Sequence, residues 1–220
     1  MRSRVVWPWL LVSFLLIASV AHPVHAGVEQ SQPDGFALIK QGNFDKAVTV
    51  FDQRLRANPT DAEARFGRGR AFQELDQKLK ALEDYTVVIY LDPKHYKALS
   101  NRGLVKGALG NLAAALEDID QSIHINRSFA VGYLNRGVTL GALGKPQQAV
   151  DDFTRAIQLS PDYADAYRNR GITYEFLGQL QNACRDWKRA WNLGQSDVAQ
   201  WYSESCLKPT PIKVRSPVAR

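Results

Sequence analysis

Small and bulky apolar residues recur along this chain with a period of 34 residues. Glycine stands at Gly35, Gly69, Gly103, Gly137 and Gly171, and alanine follows in phase at Ala47, Ala81, Ala115, Ala149 and Ala183. Four residues after each alanine comes a bulky side chain: Phe51, Tyr85, Ile119, Phe153 and Trp187. A second glycine stands at Gly42, Gly110, Gly144 and Gly178, with Asp76 in its place in one copy, and proline closes copies at Pro59, Pro93 and Pro161. Self-similarity at this period marks stacked supersecondary units, none of which can bury its apolar face alone.

Each copy predicts a helix, a turn and a second helix. In the copy centred on Gly137, the first helix is expected over 130–143, and Gly144 supplies the left-handed residue that ends it. Pro146 suits the first turn of the second helix, where its missing N–H is not needed. That helix should run to about Leu159, and Pro161 prevents continuation. Glycine inside a helix costs up to about 1 kcal/mol relative to alanine. Close packing should offset it, with Gly137 facing Ala149 and with Phe153, Leu140 and Tyr133 filling the space around them. Ala156 leaves room for the first helix of the next unit.

The formal charge of +6 changes meaning once it is located. Arg2 and Arg4 precede the first apolar run, and Lys208, Lys213, Arg215 and Arg220 follow residue 207. Neither end carries an acid, so residues 27–207 hold 22 bases against 22 acids. A neutral body argues against a nucleic-acid groove. Residues 1–26 read as a signal peptide: a basic start, an apolar stretch from Val5 to Val20, and the small residues Val24 and Ala26 before a mature start at Gly27. The stretch is short for a membrane span, which needs about 20 residues. A periplasmic or secreted protein is expected, with an inner-membrane anchor as the alternative. The segment 208–220 has three prolines and no acid, and is expected to be a disordered basic tail with at most weak, salt-screened adhesion to a membrane.

The last full copy, with Tyr167, Gly171, Tyr174, Gly178, Ala183, Trp187 and Ala190, closely resembles the tetratricopeptide repeat family. The resemblance implies an all-α fold: a right-handed superhelical solenoid of helix-turn-helix units. The units fall at 27–61 (degenerate and truncated, with Pro33 interrupting its first helix), 62–95, 96–129, 130–163 and 164–197. The third unit departs from the pattern at Lys106, Ser122 and Arg127, where the family favours an aromatic, an alanine and a proline. A capping helix is expected at 198–207, with Ser196 as N-cap and with Val198 and Trp201 or Tyr202 packed on the last repeat. Cys184 and Cys206 lie nearly equidistant from the turn at Gly194, so a hairpin sets them at one height. A disulfide fits an oxidising compartment and would be worth roughly 3 kcal/mol in the chain-entropy model; two separate buried thiols are the alternative.

Catalytic groups are sparse. The expected mature chain has His95 and His124, near the ends of repeats and without metal spacing, and no phosphate loop. The acidic pairs Glu117-Asp118, Asp118 with Asp120, and Asp151-Asp152 sit on second helices, where charge usually forms a solvated face. No cofactor and no enzyme activity are expected. Asn126, Arg127 and Ser128 form a glycosylation sequon that matters only in a eukaryotic secretory pathway.

What remains is a surface. The resemblance implies that first helices line a concave groove, into which point Lys97, Asn101 and Leu104 of the third unit, Val131, Leu134, Asn135 and Val138 of the fourth, and Arg168, Asn169 and Ile172 of the fifth. Mixed charge flanks this apolar floor, with Glu63, Arg70 and Glu74 at one end and Asp165 and Glu175 at the other. Asn101, Asn135 and Asn169 occupy one repeat position, and a ladder of amides could pair with a peptide backbone without reading its sequence; asparagine is also common there in the family. Arg102, Arg136 and Arg170 follow directly and are expected to pair with acids such as Asp118 and Asp152. The family variant that clamps an acidic C-terminus needs lysine and arginine where this chain has Val131 and Asn135. The expected function is a scaffold that binds a protein segment, for assembly or regulation of a cell-envelope complex. A self-associating structural module is the alternative.

Overall fold

The computed structural model describes residues 34–207. The segment expected to be a signal peptide, Pro33 and the segment expected to be a basic tail lie outside the described residues. Among the described residues there are eleven helices and no strand. Five antiparallel pairs follow one another: α1 (Gly35–Lys40) with α2 (Phe44–Ala57), α3 (Ala62–Glu74) with α4 (Lys78–Leu91), α5 (Tyr96–Ala108) with α6 (Leu112–Ile125), α7 (Ala130–Ala142) with α8 (Pro146–Leu159), and α9 (Ala164–Phe176) with α10 (Leu180–Asn192). A final helix, α11 (Val198–Cys206), packs on α10. As expected, α1 is short.

The turn chemistry matches the sequence pattern. Gly42, Gly110, Gly144 and Gly178 all have φ between 70° and 88°, and Asp76 adopts φ 56° in the copy that lacks the glycine. The residue after each turn glycine donates back to the first helix, as in Lys145 N–H to Leu140 C=O at 2.9 Å, which satisfies a carbonyl orphaned at the helix end. Second helices end on an extended residue: Asn58, Asp92, Asn126 and Ser160. Proline restricts the residue before it to that region. Asn126 adopts it without one, so Arg127 leaves the register of the third unit intact.

The closest approach to Gly137 comes from Phe153, one of the residues expected to fill the space around it and Ala149. A Cβ placed on Gly137 would lie 2.6 Å from the Phe153 ring. The same offset of 16 residues joins Gly69 to Tyr85, Gly103 to Ile119 and Gly171 to Trp187, each within 3.0 Å of such a Cβ. The helix–helix approach is therefore set by glycine against a bulky side chain, and the in-phase alanines are fully buried beside that contact.

Arginines stitch the pairs together. Arg136 donates to both oxygens of Asp152 on α8 at 2.8 and 2.7 Å, and its remaining nitrogen reaches Asp120 on α6 at 2.9 Å. Arg68 does the same with Asp84 and Asp52, and Arg170 with Asp186 and Thr154. The hydrogen bonds to Asp152 lead in holding the Arg136 pKa above its ordinary value, against the opposing cost of burial. Arg102 grips Asp118, and Lys106, where the family favours an aromatic, adds a contact to that carboxylate at 2.8 Å. Asp118 and Asp152 are thus buried partners of arginine, whereas Glu117 and Asp151 are not buried. Ser122 donates to the Tyr96 carbonyl at 2.8 Å, so the hydroxyl that replaces alanine is satisfied.

The C-terminal cap differs in one detail. Asp197, not Ser196, occupies the N-cap position of α11, and it makes no capping hydrogen bond because its carboxylate is engaged by Arg168 at 2.7 Å. Val198 is fully buried, and both Trp201 and Tyr202 pack against the last core cluster. Cys184 and Cys206 form a disulfide with Cα atoms 5.7 Å apart, tying α11 to α10.

Two outcomes are expected. Gly137→Ala should lower stability by about 1–3 kcal/mol through overpacking on Phe153. Gly141→Ala, one turn on and with open space where its Cβ would stand, should raise it by up to about 1 kcal/mol. Denaturant melts of the two variants test the assignment, and equal effects would contradict it. Reduction of the disulfide should speed amide exchange in α11 and the last turns of α10 while leaving α3 to α8 unchanged, because repeat contacts run only between neighbours. Exchange that rises uniformly would mean the cap supports the whole array.

Candidate functional site

First helices touch the next first helix in line: α3 meets α5, α5 meets α7 and α7 meets α9. Elements that approach across repeats lie on the inside of the curve, so the first helices line its concave side. Two adjoining cavities open there. One, of 570 Å³, is lined by Phe36, Glu63, Phe66, Arg70, His95, Lys97, Asn101, Phe129 and Val131. The other, of 420 Å³, is lined by Arg70, Gln73, Glu74, Asn101, Leu104, Val131, Asn135, Tyr163 and Asp165. They share Arg70, Asn101 and Val131, so they form one groove.

The ten residues expected to face the groove divide into groups. Lys97, Asn101, Leu104, Val131 and Asn135 line the cavities. Val138 and Ile172 are exposed apolar residues, and Phe176 close by is 79% exposed. Leu134 instead turns into the core, in the cluster with Leu140 and Ala149. Arg168 is held by Asp197 and stacks over the Trp201 ring at 5.2 Å, so the cap takes it.

The asparagines do not form a uniform ladder. Asn135 is buried and donates to the buried Ser100 hydroxyl at 3.0 Å. Asn101 donates to the Tyr85 phenol oxygen at 3.3 Å, and that phenol donates to Gln73 Oε1 at 3.0 Å. Burial leads in pushing the Tyr85 pKa above its usual range. Asn169 donates to the Asp165 carbonyl of its own helix at 2.7 Å. One repeat position thus serves three different local needs.

The sequence reading missed the aromatic wall. His95, Phe129 and Tyr163 occupy the N-cap position of α5, α7 and α9 and line the cavities. They were detectable, since residues 61, 95, 129, 163 and 197 are themselves 34 apart. The groove positions implied by the resemblance all lie within helices and so pass over the caps. Phe66 and His95 pack in a tilted arrangement with ring centroids 4.9 Å apart. Burial, helped by Asp165, pushes the Tyr163 phenol up to about 12.

Known proteins share this fold. Sequence models described as "Tetratricopeptide repeat" match residues 35–96, 130–163 and 153–185. The chain belongs to the tetratricopeptide repeat family. Among solved structures, TTC0263, a thermophilic TPR protein of Thermus thermophilus, is 24% identical over 79% of this chain and 96% of its own, with a TM-score of 0.72. MamA is 22% identical over 74% of this chain and 96% of its own, with a TM-score of 0.58. YrrB, described as a TPR protein with an unusual peptide-binding site, is 18% identical over 76% of this chain and 87% of its own, with a TM-score of 0.54. These likenesses show the solenoid fold.

His95 gives the stability of the fold a pH dependence. Its Nδ1 accepts the Ala98 N–H at 3.1 Å, capping α5. Burial leads in lowering its pKa, a hydrogen bond with its own backbone and the charge of Asp92 oppose that, and Lys97 adds to the lowering. A folded pKa below the ordinary 6.5 means the unfolded chain binds the proton more readily. The stabilisation is therefore complete above pH 6.5 and lost as pH falls below it, when a protonated Nδ1 can no longer accept. His95→Asn, which can cap without titrating, should flatten the decline in melting temperature below pH 6.5. An unchanged pH profile would contradict the assignment.

Proposed function

We propose that this protein is an exported interaction scaffold that holds an extended polypeptide segment in the concave groove, in assembling or regulating a cell-envelope complex. The family is typically a non-catalytic protein-interaction module, so a protein partner follows from the fold. The carrying observation for groove binding is the pair of adjoining cavities that share Arg70, Asn101 and Val131 across three successive repeats. Such a trough suits a chain in extended form better than a compact small molecule. The description of YrrB as having a peptide-binding site supports peptide binding by this architecture. The basic-then-apolar N-terminus and the cysteine pair that bridges α10 and α11 support export to an oxidising compartment.

The apolar strip of Val138, Ile172 and Phe176 favours a second reading, in which another copy of the chain covers it. Both readings meet one experiment: crosslinking and co-purification from the native envelope. Wild type is compared with a Leu104→Glu, Val131→Glu variant, whose charges would stand in the groove floor. Recovery of a partner should fall about tenfold or more with the variant, on the scale of losing one central apolar contact, while the helical melt is retained. A partner kept equally by both proteins would move the interaction to the convex face. Recovery of the chain alone, with mass rising with concentration, would favour self-association.

A further inference from the structure

Charge along the groove is uneven. In the larger cavity stand Arg70 and Lys97, and neither forms an ion pair among the described residues. The acid there, Glu63, is 3.5 Å from Arg54, which offsets its charge. The smaller cavity carries Glu74 and Asp165 against Arg70, which it shares with the larger, and among the described residues the Asp165 carboxylate has only the neutral Gln195 amide as a hydrogen-bond donor, at 2.6 Å. The larger cavity also has an apolar wall of Phe36, Phe66, Phe129 and Val131. An aromatic wall alone could receive a cation, but the two free cations beside it repel one.

We infer that the groove selects an extended segment in which an acidic side chain adjoins a large apolar one, with a basic residue a few positions along the chain. The apolar side chain enters the Phe36, Phe66 and Phe129 wall. The carboxylate pairs with Arg70 and Lys97, and the basic residue meets Glu74 and Asp165. The acid belongs to an internal residue, because Arg70 and Asn101 line both cavities and so stand at their junction. A chain ending there would leave one cavity empty. This inference rests on the groove reading proposed above, and it adds the chemistry and the polarity of the occupant.

The test uses the purified chain and capped, fluorescein-labelled peptides of about nine residues, roughly 30 Å when extended. One peptide carries Asp-Leu followed three residues later by Lys, and its charge-swapped partner carries Lys-Leu followed by Asp. Wild type should prefer the first by about tenfold at low salt, with the preference shrinking as salt rises. Arg70→Glu with Lys97→Glu should invert the preference, and Arg70→Gln with Lys97→Gln should abolish it at an unchanged melt. Freeing the C-terminal carboxylate of the peptide should change nothing. Equal affinity for both peptides, lost in the Val131→Glu protein, would overturn the charge selection and leave the groove reading standing. Binding that requires a free C-terminus would overturn the internal acid. Binding of neither peptide would overturn both readings.

Discussion

The close approach of glycine on a first helix to a bulky side chain on its partner is the constraint from which the rest of this structure follows. With any Cβ at Gly137 the Phe153 ring could not occupy its present place. That contact sets the separation of the two helices, and the separation lets the fully buried alanines close the core beside it. Because the contact recurs every 34 residues, each pair presents the same shape to the next. A stack of equal pairs has a definite inside, and the first helices occupy it.

Polar contacts of arginine then tie three of the pairs to the pair before, through Arg68, Arg136 and Arg170, while Arg102 holds only its own pair. The Arg136 guanidinium fills its planar fork with both oxygens of Asp152 and spends its remaining nitrogen on the preceding repeat. Bidentate geometry fixes direction as well as distance. The carboxylate is buried and the guanidinium only partly so, which makes the pair a register device more than a large source of stability. In the third repeat Lys106 joins Asp118 on the same side, so loss of the family aromatic is answered by a second cation. These ion pairs lie between helices and leave the groove side to Arg70 and Lys97.

The two ends of the array are handled differently. At the C-terminal end a disulfide, a buried valine and two aromatic rings hold α11 on the last repeat. The same cap captures Arg168 and Asp165 through Asp197 and Gln195, which subtracts one cation from the groove and leaves the Asp165 charge in place. Groove polarity is thus partly a consequence of capping. At the other end α1 is a helix of six residues that still delivers Phe36 to the larger cavity.

Period, turn positions and pairing of helices were legible in the chain because each rests on local chemistry: a positive φ, a missing N–H, small residues where two backbones approach. The partners of Asp118 and Asp152 were legible for a related reason, since a constant offset of 16 residues places Arg102 and Arg136 beside them. The site was legible only in part. Repeat position indicated that Lys97, Asn101, Leu104, Val131 and Asn135 would face the groove, yet it could not tell that Leu134 turns inward, that Arg168 is drawn to the cap, or that the amides at one position serve three purposes. Those outcomes depend on which atoms of other repeats stand within reach, and neighbours of that kind are set by tertiary packing. The sequence alone therefore determined the repeating unit and its register. Only the tertiary structure decided which polar groups are consumed in holding units together and which are left to meet a partner.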